Sequence, residues 1–145
     1  MKVEGSYRIA APVAVVWRKL MDPGVLQRAL PGCERLEPAG ENTYRTVVKA
    51  GVGPIKGTFQ GDVTLSDIVP EKSYRLTSHA KAAVGFVEGS GAVELEPADA
   101  GTLIRFSGDV KVGGMLASVG GRLVEAAAQK NIRDTFDNLA REAQT

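Results

Sequence analysis

The chain has 145 residues, 43% of them apolar and 24% charged, with a formal net charge of +1. That is the length and composition of one ordinary globular domain, 1–145, and its near-neutral balance excludes a general attraction to nucleic acid or an anionic membrane. One cysteine excludes an internal disulfide, no Cys/His cluster has metal-ligand spacing, and no stretch reaches the ~18 apolar residues of a membrane span. The opening MKVEGSYRIAAP lacks an apolar run of signal-peptide length, so a soluble, cytoplasmic protein without metal or cofactor is expected.

Residues 2–9 alternate, with Val3, Gly5, Tyr7 and Ile9 on one face and Lys2, Glu4, Ser6 and Arg8 on the other. This predicts a half-buried strand. Pro12 can open a short helix carrying Val13, Val16, Trp17 and Leu20. Asp22-Pro23 breaks it and starts a second, with Val25, Leu26, Ala29 and Leu30 on its apolar side, ended by Pro31-Gly32. From Cys33 the pattern turns to strands: 33–37, 43–49, 55–68, 74–82, 86–96 and 102–112, separated by turn residues. A run of strands between helices predicts an α+β fold with an antiparallel sheet, in the order β-α-α-β-β-β-β-β-β-α.

Met115 to Ala143 reads as one helix, roughly 43 Å long. Leu116, Val119, Leu123 and Ala127 recur at helical spacing; Ala128, Ile132, Phe136, Leu139 and Ala143 do so on a face rotated by roughly 140°. Gly113-Gly114 can turn the chain into this helix, and Gly120-Gly121 within it suggests a kink. Seven glycines in or beside strands, among them Gly61, Gly85, Gly89 and Gly108, suggest a sheet bent often enough to curl around the helix. An apolar pocket between the two, or a filled core, would both satisfy that pattern.

Catalytic chemistry has little support. The single histidine, His79, falls with Arg75 and Thr77 on a solvent-facing parity, and no Ser-His-Asp set or Cys33 base is evident. Glu88, Glu94 and Glu96 share one polar face. The GVGPIKG segment lacks the phosphate-loop pattern. Tyr7, Tyr44 and Tyr74 are the interior groups that could serve as acid or base, and each also reads as a core aromatic. Arg122 can face solvent or a polar ligand head.

Four stretches together resemble a known family: AAPVAVVWRKLMDPGVLQRALPGCERLE, GVGPIKGTFQGDVTLSDIVPEKSYRL, VGFVEGSGAVELEP and GGMLASVGGRLVEAAAQKNIRDTFDNL. They are similar, in order and over nearly the whole chain, to the carbon monoxide dehydrogenase CoxG family, a branch of the START-like helix-grip (SRPBCC) proteins. The resemblance implies a helix-grip fold, a seven-stranded curved antiparallel sheet around a long C-terminal helix with a hydrophobic cavity between. It also implies a non-catalytic accessory role beside a molybdenum hydroxylase of the CO dehydrogenase/xanthine oxidase type. Its ligand would be an apolar small molecule, a quinone or lipid, with no cofactor of its own and peripheral contact with the inner face of the membrane. Many members carry a C-terminal anchor; none is expected in these 145 residues. The expected pocket is lined by Trp17, Leu26, Leu30, Phe59, Leu76, Phe86, Phe106, Met115, Leu116, Val119 and Leu123, with the Gly85-Phe86 hairpin as a lid. An assembly module with a closed core and a small cyclase/dehydrase-type enzyme are the alternatives.

Overall fold

The structure, a computed structural model, describes residues 1–144. Its elements are β1 (Lys2–Ile9), α1 (Val13–Leu20), α2 (Pro23–Ala29), β2 (Cys33–Pro38), β3 (Thr43–Val52), β4 (Ile55–Val69), β5 (Ser73–Ala82), β6 (Gly85–Ala98) and β7 (Gly101–Gly113), then a 3₁₀ helix (Gly114–Val119) and α3 (Gly121–Glu142). The seven strands form one antiparallel sheet in the order β1-β7-β6-β5-β4-β3-β2. Every neighbouring pair is a hairpin except β1 with β7, the only pair that joins the two ends of the strand sequence. Helices α1 and α2 carry the chain from one edge of the sheet to the other.

Local chemistry sets these elements. The Asp22 carboxylate accepts from the backbone N–H of Gly24 at 2.9 Å and of Val25 at 3.4 Å, and Pro23 fills the first helical turn. Alternation along β1 buries Val3 and Ile9 and leaves Lys2, Glu4, Ser6 and Arg8 exposed. The β3–β4 hairpin is tighter than the sequence suggested. Val52 pairs directly with Ile55 across Gly53-Pro54, so the residues expected to form a five-residue turn extend the strands.

The C-terminal segment corrects the expectation of one unbroken helix. Gly120 has φ +99° and ψ 150°, a conformation outside any helix, and it separates the 3₁₀ helix from α3. At 22 residues, α3 is roughly 33 Å long. Because helical phase restarts at Gly121, the buried face is Val124, Phe136, Leu139 and Ala143. Leu123, expected to face the sheet, is 51% exposed, and Met115 is 57% exposed.

Two apolar clusters hold the layers together. One joins Ile9, Val16, Leu20, Val25, Leu65, Tyr74, Val93, Leu95, Ile104, Phe136 and Leu139 beneath α1, α2 and the end of α3. Within it Tyr7 stacks on Phe136 at 4.4 Å between ring centroids, and Trp17 meets Tyr74 edge-on at 5.8 Å. The other joins Val52, Phe59, Leu116 and Val124 at the far end of the sheet. Polar ties fix the helix ends: Asn138 Nδ2 donates to the Ala29 carbonyl at 2.9 Å, Gln144 Nε2 to that of Ala10 at 2.9 Å, and Arg28 pairs with Glu142.

This phase assignment is testable by chemical denaturation. Phe136→Ala should cost about 3–5 kcal/mol, the range for a large buried aromatic. Leu123→Ala should cost less than about 1 kcal/mol, because half the side chain is already in water.

Candidate functional site

The two clusters share one sheet and one helix without merging, and what lies between them defines the site. Cross-strand partners share a face, which traces the row. Thr46 of β3 stands opposite Gly61 of β4. Val63 stands opposite Ser78, and Ser78 opposite Gly89 of β6. Gly89 pairs with Val110 of β7, and Gly91 with Gly108. All sit on the side that carries Phe59, Leu65, Tyr74 and Val93, the side facing α3. A Cβ at Gly61 would fall 1.7 Å from the His79 carbonyl oxygen, so the strands bend into the space a side chain would need.

This belt is built largely of small and medium-sized residues. Val48, Ser78, Gly89 and Val110 are all half-buried and belong to neither cluster. Val63, Leu76 and Phe106, at the margin of the first cluster, and Ala80, at the margin of the second, also keep accessible surface. A fully packed interface would bury inward-facing residues of this size. Between the two packed clusters, the sheet face on the α3 side therefore keeps accessible surface. Other hollows lie elsewhere: one of about 420 Å³ is lined by Glu4, Ser6, Glu94 and Arg105, and one of about 570 Å³ by Pro70, Glu71, Lys72 and Pro97. Both are rimmed by charged side chains.

The residues expected to line a pocket divide into three groups. Trp17, Leu76 and Phe106 meet in the first cluster, and Phe59, Leu116 and Val119 in the second. Leu26 and Leu30 are half-buried outside both. Phe86, Met115 and Leu123 do not join the sheet-facing layer. Phe86 lies across Gly113, where a Cβ would come 2.1 Å from its ring, and by strand alternation it occupies the outer face. Sequence reasoning passed over Thr46, Ser78 and Val110. Their inward strand parity, opposite glycines, was the available signal.

The Gly85-Phe86 hairpin is not built as a freely moving lid. Gly85 has φ +139°, a Cβ there would sit 2.1 Å from the Gly113 carbonyl oxygen, and the Leu116 N–H donates to the neighbouring Val84 carbonyl at 2.8 Å. Gly85→Val, expected from sequence to spare stability, should instead cost about 3 kcal/mol or more in a urea titration.

The titratable groups divide between the core and the outer face. Tyr74 is deeply buried, and burial pushes its hydroxyl well above the ordinary range. Tyr7 is also raised, chiefly by burial, with Arg133 opposing and Asp137 adding to the shift. Tyr44 is half-buried at the edge of the first cluster. His79 is exposed on the outer face with Nδ1 3.8 Å from Glu88 Oε1, and Glu96 pairs with Arg105 at 2.9 Å. Arg122 is exposed. Among the described residues no group of three or more His, Cys, Asp or Glu could hold a metal ion, and no helix is long and apolar enough to cross a membrane.

Cys33 Sγ donates to the Arg35 carbonyl at 3.3 Å, and burial pushes the thiol up, partly offset by a hydrogen bond with the Arg35 backbone. The thiolate is the reactive form. Alkylation by iodoacetamide at pH 8 should therefore be slower in the native protein than in the urea-unfolded chain, and the native rate should climb as pH is raised toward 10.

A long helix held against a seven-stranded antiparallel sheet, with two short helices between the first two strands, defines the helix-grip class. Within it, residues 5–144 match the family model for CoxG of carbon monoxide dehydrogenase, and the chain belongs to that family. A conserved protein from Geobacillus kaustophilus is 31% identical, with a TM-score of 0.95 over 99% of this chain and 95% of that one. The Zhui aromatase/cyclase from Streptomyces sp. R1128 is 20% identical, with a TM-score of 0.73 over 99% and 93% of the two chains. A putative uncharacterized protein from Rhizobium leguminosarum is 18% identical, with a TM-score of 0.76 over 99% and 94%. The last two likenesses concern the fold. A comparison with curated proteins found no match.

Proposed function

We propose that this protein is a non-catalytic accessory protein that holds an apolar, quinone- or lipid-like molecule between sheet and α3 and serves a molybdenum hydroxylase of the CO dehydrogenase/xanthine oxidase type. The observation that carries the ligand-binding part is the unfilled belt: Val48, Ser78, Gly89 and Val110 face the helix yet stay half-buried between two packed clusters. Apolar surface kept accessible in a concave site is what a lipophilic molecule would cover, at about 25 cal/mol per Å² removed from water. Family membership supports the accessory role and the kind of enzyme served. A closed assembly module would have no use for the belt. A cyclase-type enzyme would need an acid or base in the cleft, and the interior tyrosines are engaged with rings, Tyr74 with Trp17 and Tyr7 with Phe136. Exposed Met115 and Leu123 then stand outside the cleft, where they are available to a partner or a membrane surface during transfer.

Trp17, the single tryptophan, borders the first cluster and reports on the cleft. Titration with 2-methyl-1,4-naphthoquinone should quench its fluorescence with one-to-one stoichiometry. Ser78→Phe fills the belt and should reduce binding at least tenfold. Thr77→Phe, one residue away on the outer face, should leave binding unchanged. No saturable binding by the wild type, or equal loss in both variants, would defeat the proposal.

A further inference from the structure

We infer that β1 is a docking edge for a second copy of this chain. The two β1 strands pair antiparallel about a two-fold axis at Ser6, so that Glu4 of each copy lies opposite Arg8 of the other. The inference starts from the two edges of the sheet, which the order β1-β7-β6-β5-β4-β3-β2 leaves at β1 and β2. A free strand edge presents unpaired N–H and C=O groups to any second strand, and proteins that stay single blunt such edges. β2 is blunted. It is six residues long, its register shifts between Cys33 and Arg35, and it ends in Pro38. Two of its carbonyls are taken by side chains, that of Glu34 by Gln27 Nε2 at 2.9 Å and that of Arg35 by Cys33 Sγ at 3.3 Å.

β1 has none of these features. Its eight residues run without a register shift or a proline. Met1 and Val110 exchange both backbone hydrogen bonds, Met1 N to the Val110 carbonyl at 2.8 Å and Val110 N to the Met1 carbonyl at 2.9 Å. In an antiparallel ladder hydrogen-bonded and unbonded pairs alternate. The backbone groups of Val3, Gly5, Tyr7 and Ile9 therefore turn to β7, and those of Lys2, Glu4, Ser6 and Arg8 turn away from it. Among the described residues no group bonds to these four from the open side, and all four are exposed. Their side chains stand on the outer face, where Glu4 and Arg8 have no ion-pair partner among the described residues.

Charge then selects the register. The edge-facing groups of two copies meet only where even-numbered residues lie opposite one another. The two longest such registers are centred on Gly5, overlapping residues 2–8, and on Ser6, overlapping residues 3–9. The first places Lys2 opposite Arg8. The second places Glu4 opposite Arg8 on both sides of the axis and Ser6 opposite its own counterpart. Like charges directly opposite destabilise a strand pair and unlike charges stabilise it. In the second register each of these pairs also exchanges two backbone hydrogen bonds. The contact is isologous and closed, so it stops at two copies. Pairing of β1 with the β2 edge of another copy would not close, and the shifted register and Pro38 of β2 stand against it.

The test is analytical sedimentation of the full chain, as wild type, Ser6→Pro, Glu4→Arg and the double variant Glu4→Arg/Arg8→Glu, with a thermal melt of each. The wild type should sediment as two copies. Ser6→Pro removes an N–H that points to the open edge and leaves the β1–β7 ladder whole, so it should still melt cooperatively and weaken the dimer about tenfold or more. Glu4→Arg sets two positive charges opposite each other and should do the same, and adding Arg8→Glu should restore the two-copy mass. Cross-linking gives a second readout, which stands even if Ser6→Pro fails to fold. Ser6→Cys in a Cys33→Ser background should form an intermolecular disulfide in air, because the Cα atoms of a hydrogen-bonded pair lie about 5.5 Å apart. Glu4→Cys in the same background should not, since position 4 meets position 8. A wild type that stays single at about 100 μM, a dimer that both Ser6→Pro and Glu4→Arg leave intact, or equal cross-linking at positions 4 and 6 would overturn the proposal.

Discussion

A seven-stranded sheet is about 29 Å wide, and a helix with its side chains is only about 10–12 Å across. One helix cannot cover such a sheet if it stays flat. The apolar face of β3 to β7 therefore has to curl toward α3, and everything else in the molecule follows from how that curl is achieved. Removing side chains where strands must approach allows the bend, as at Gly61, whose missing Cβ leaves room for the backbone of β5.

The two ends are closed by different means. At one end α1 and α2 add a second layer, and Phe136 and Leu139 of α3 pin the helix there through the Tyr7 stack and the bond from Asn138 to Ala29. At the other end no α-helix is added. The chain closes it with the short 3₁₀ segment, which plants Leu116 against Phe59 and Val52 and leaves Met115 in water. Gly120 then resets the direction before α3 begins. The second end is held by fewer buried side chains, so it is the end expected to open first.

Membership of the CoxG family and the fold shared with an aromatase/cyclase sharpen the contrast between carrier and catalyst. The inward face carries few polar groups, among them the hydroxyls of Thr46 and Ser78, and the first cluster's Tyr7 and Tyr74 have ionisation that burial opposes. Charged groups collect on the outer face, where Arg105 pairs with Glu96 and His79 lies near Glu88.

Period-2 alternation and turn residues determined by themselves the order of the ten main elements, the antiparallel sheet and the inward faces of its strands, because those depend on neighbours in the chain. The face of β1 and the Asp22-Pro23 helix start were legible for that reason. The family motifs were legible too, and carried the fold and the membership. The late face of α3 was legible too, since Phe136, Leu139 and Ala143 are buried as expected; its first turn was not, because the positive φ of Gly120 breaks the helical phase carried over from Leu116 and Val119, so Leu123 points to water and Val124 to the core. The outward side of Phe86, by contrast, was legible, because it shares strand parity with Glu88, Glu94 and Glu96. Whether apolar inward residues fill a core or border a gap depends on the distance between sheet and helix. Only the tertiary structure sets that distance, and it leaves Val48, Ser78, Gly89 and Val110 half-buried between the two clusters.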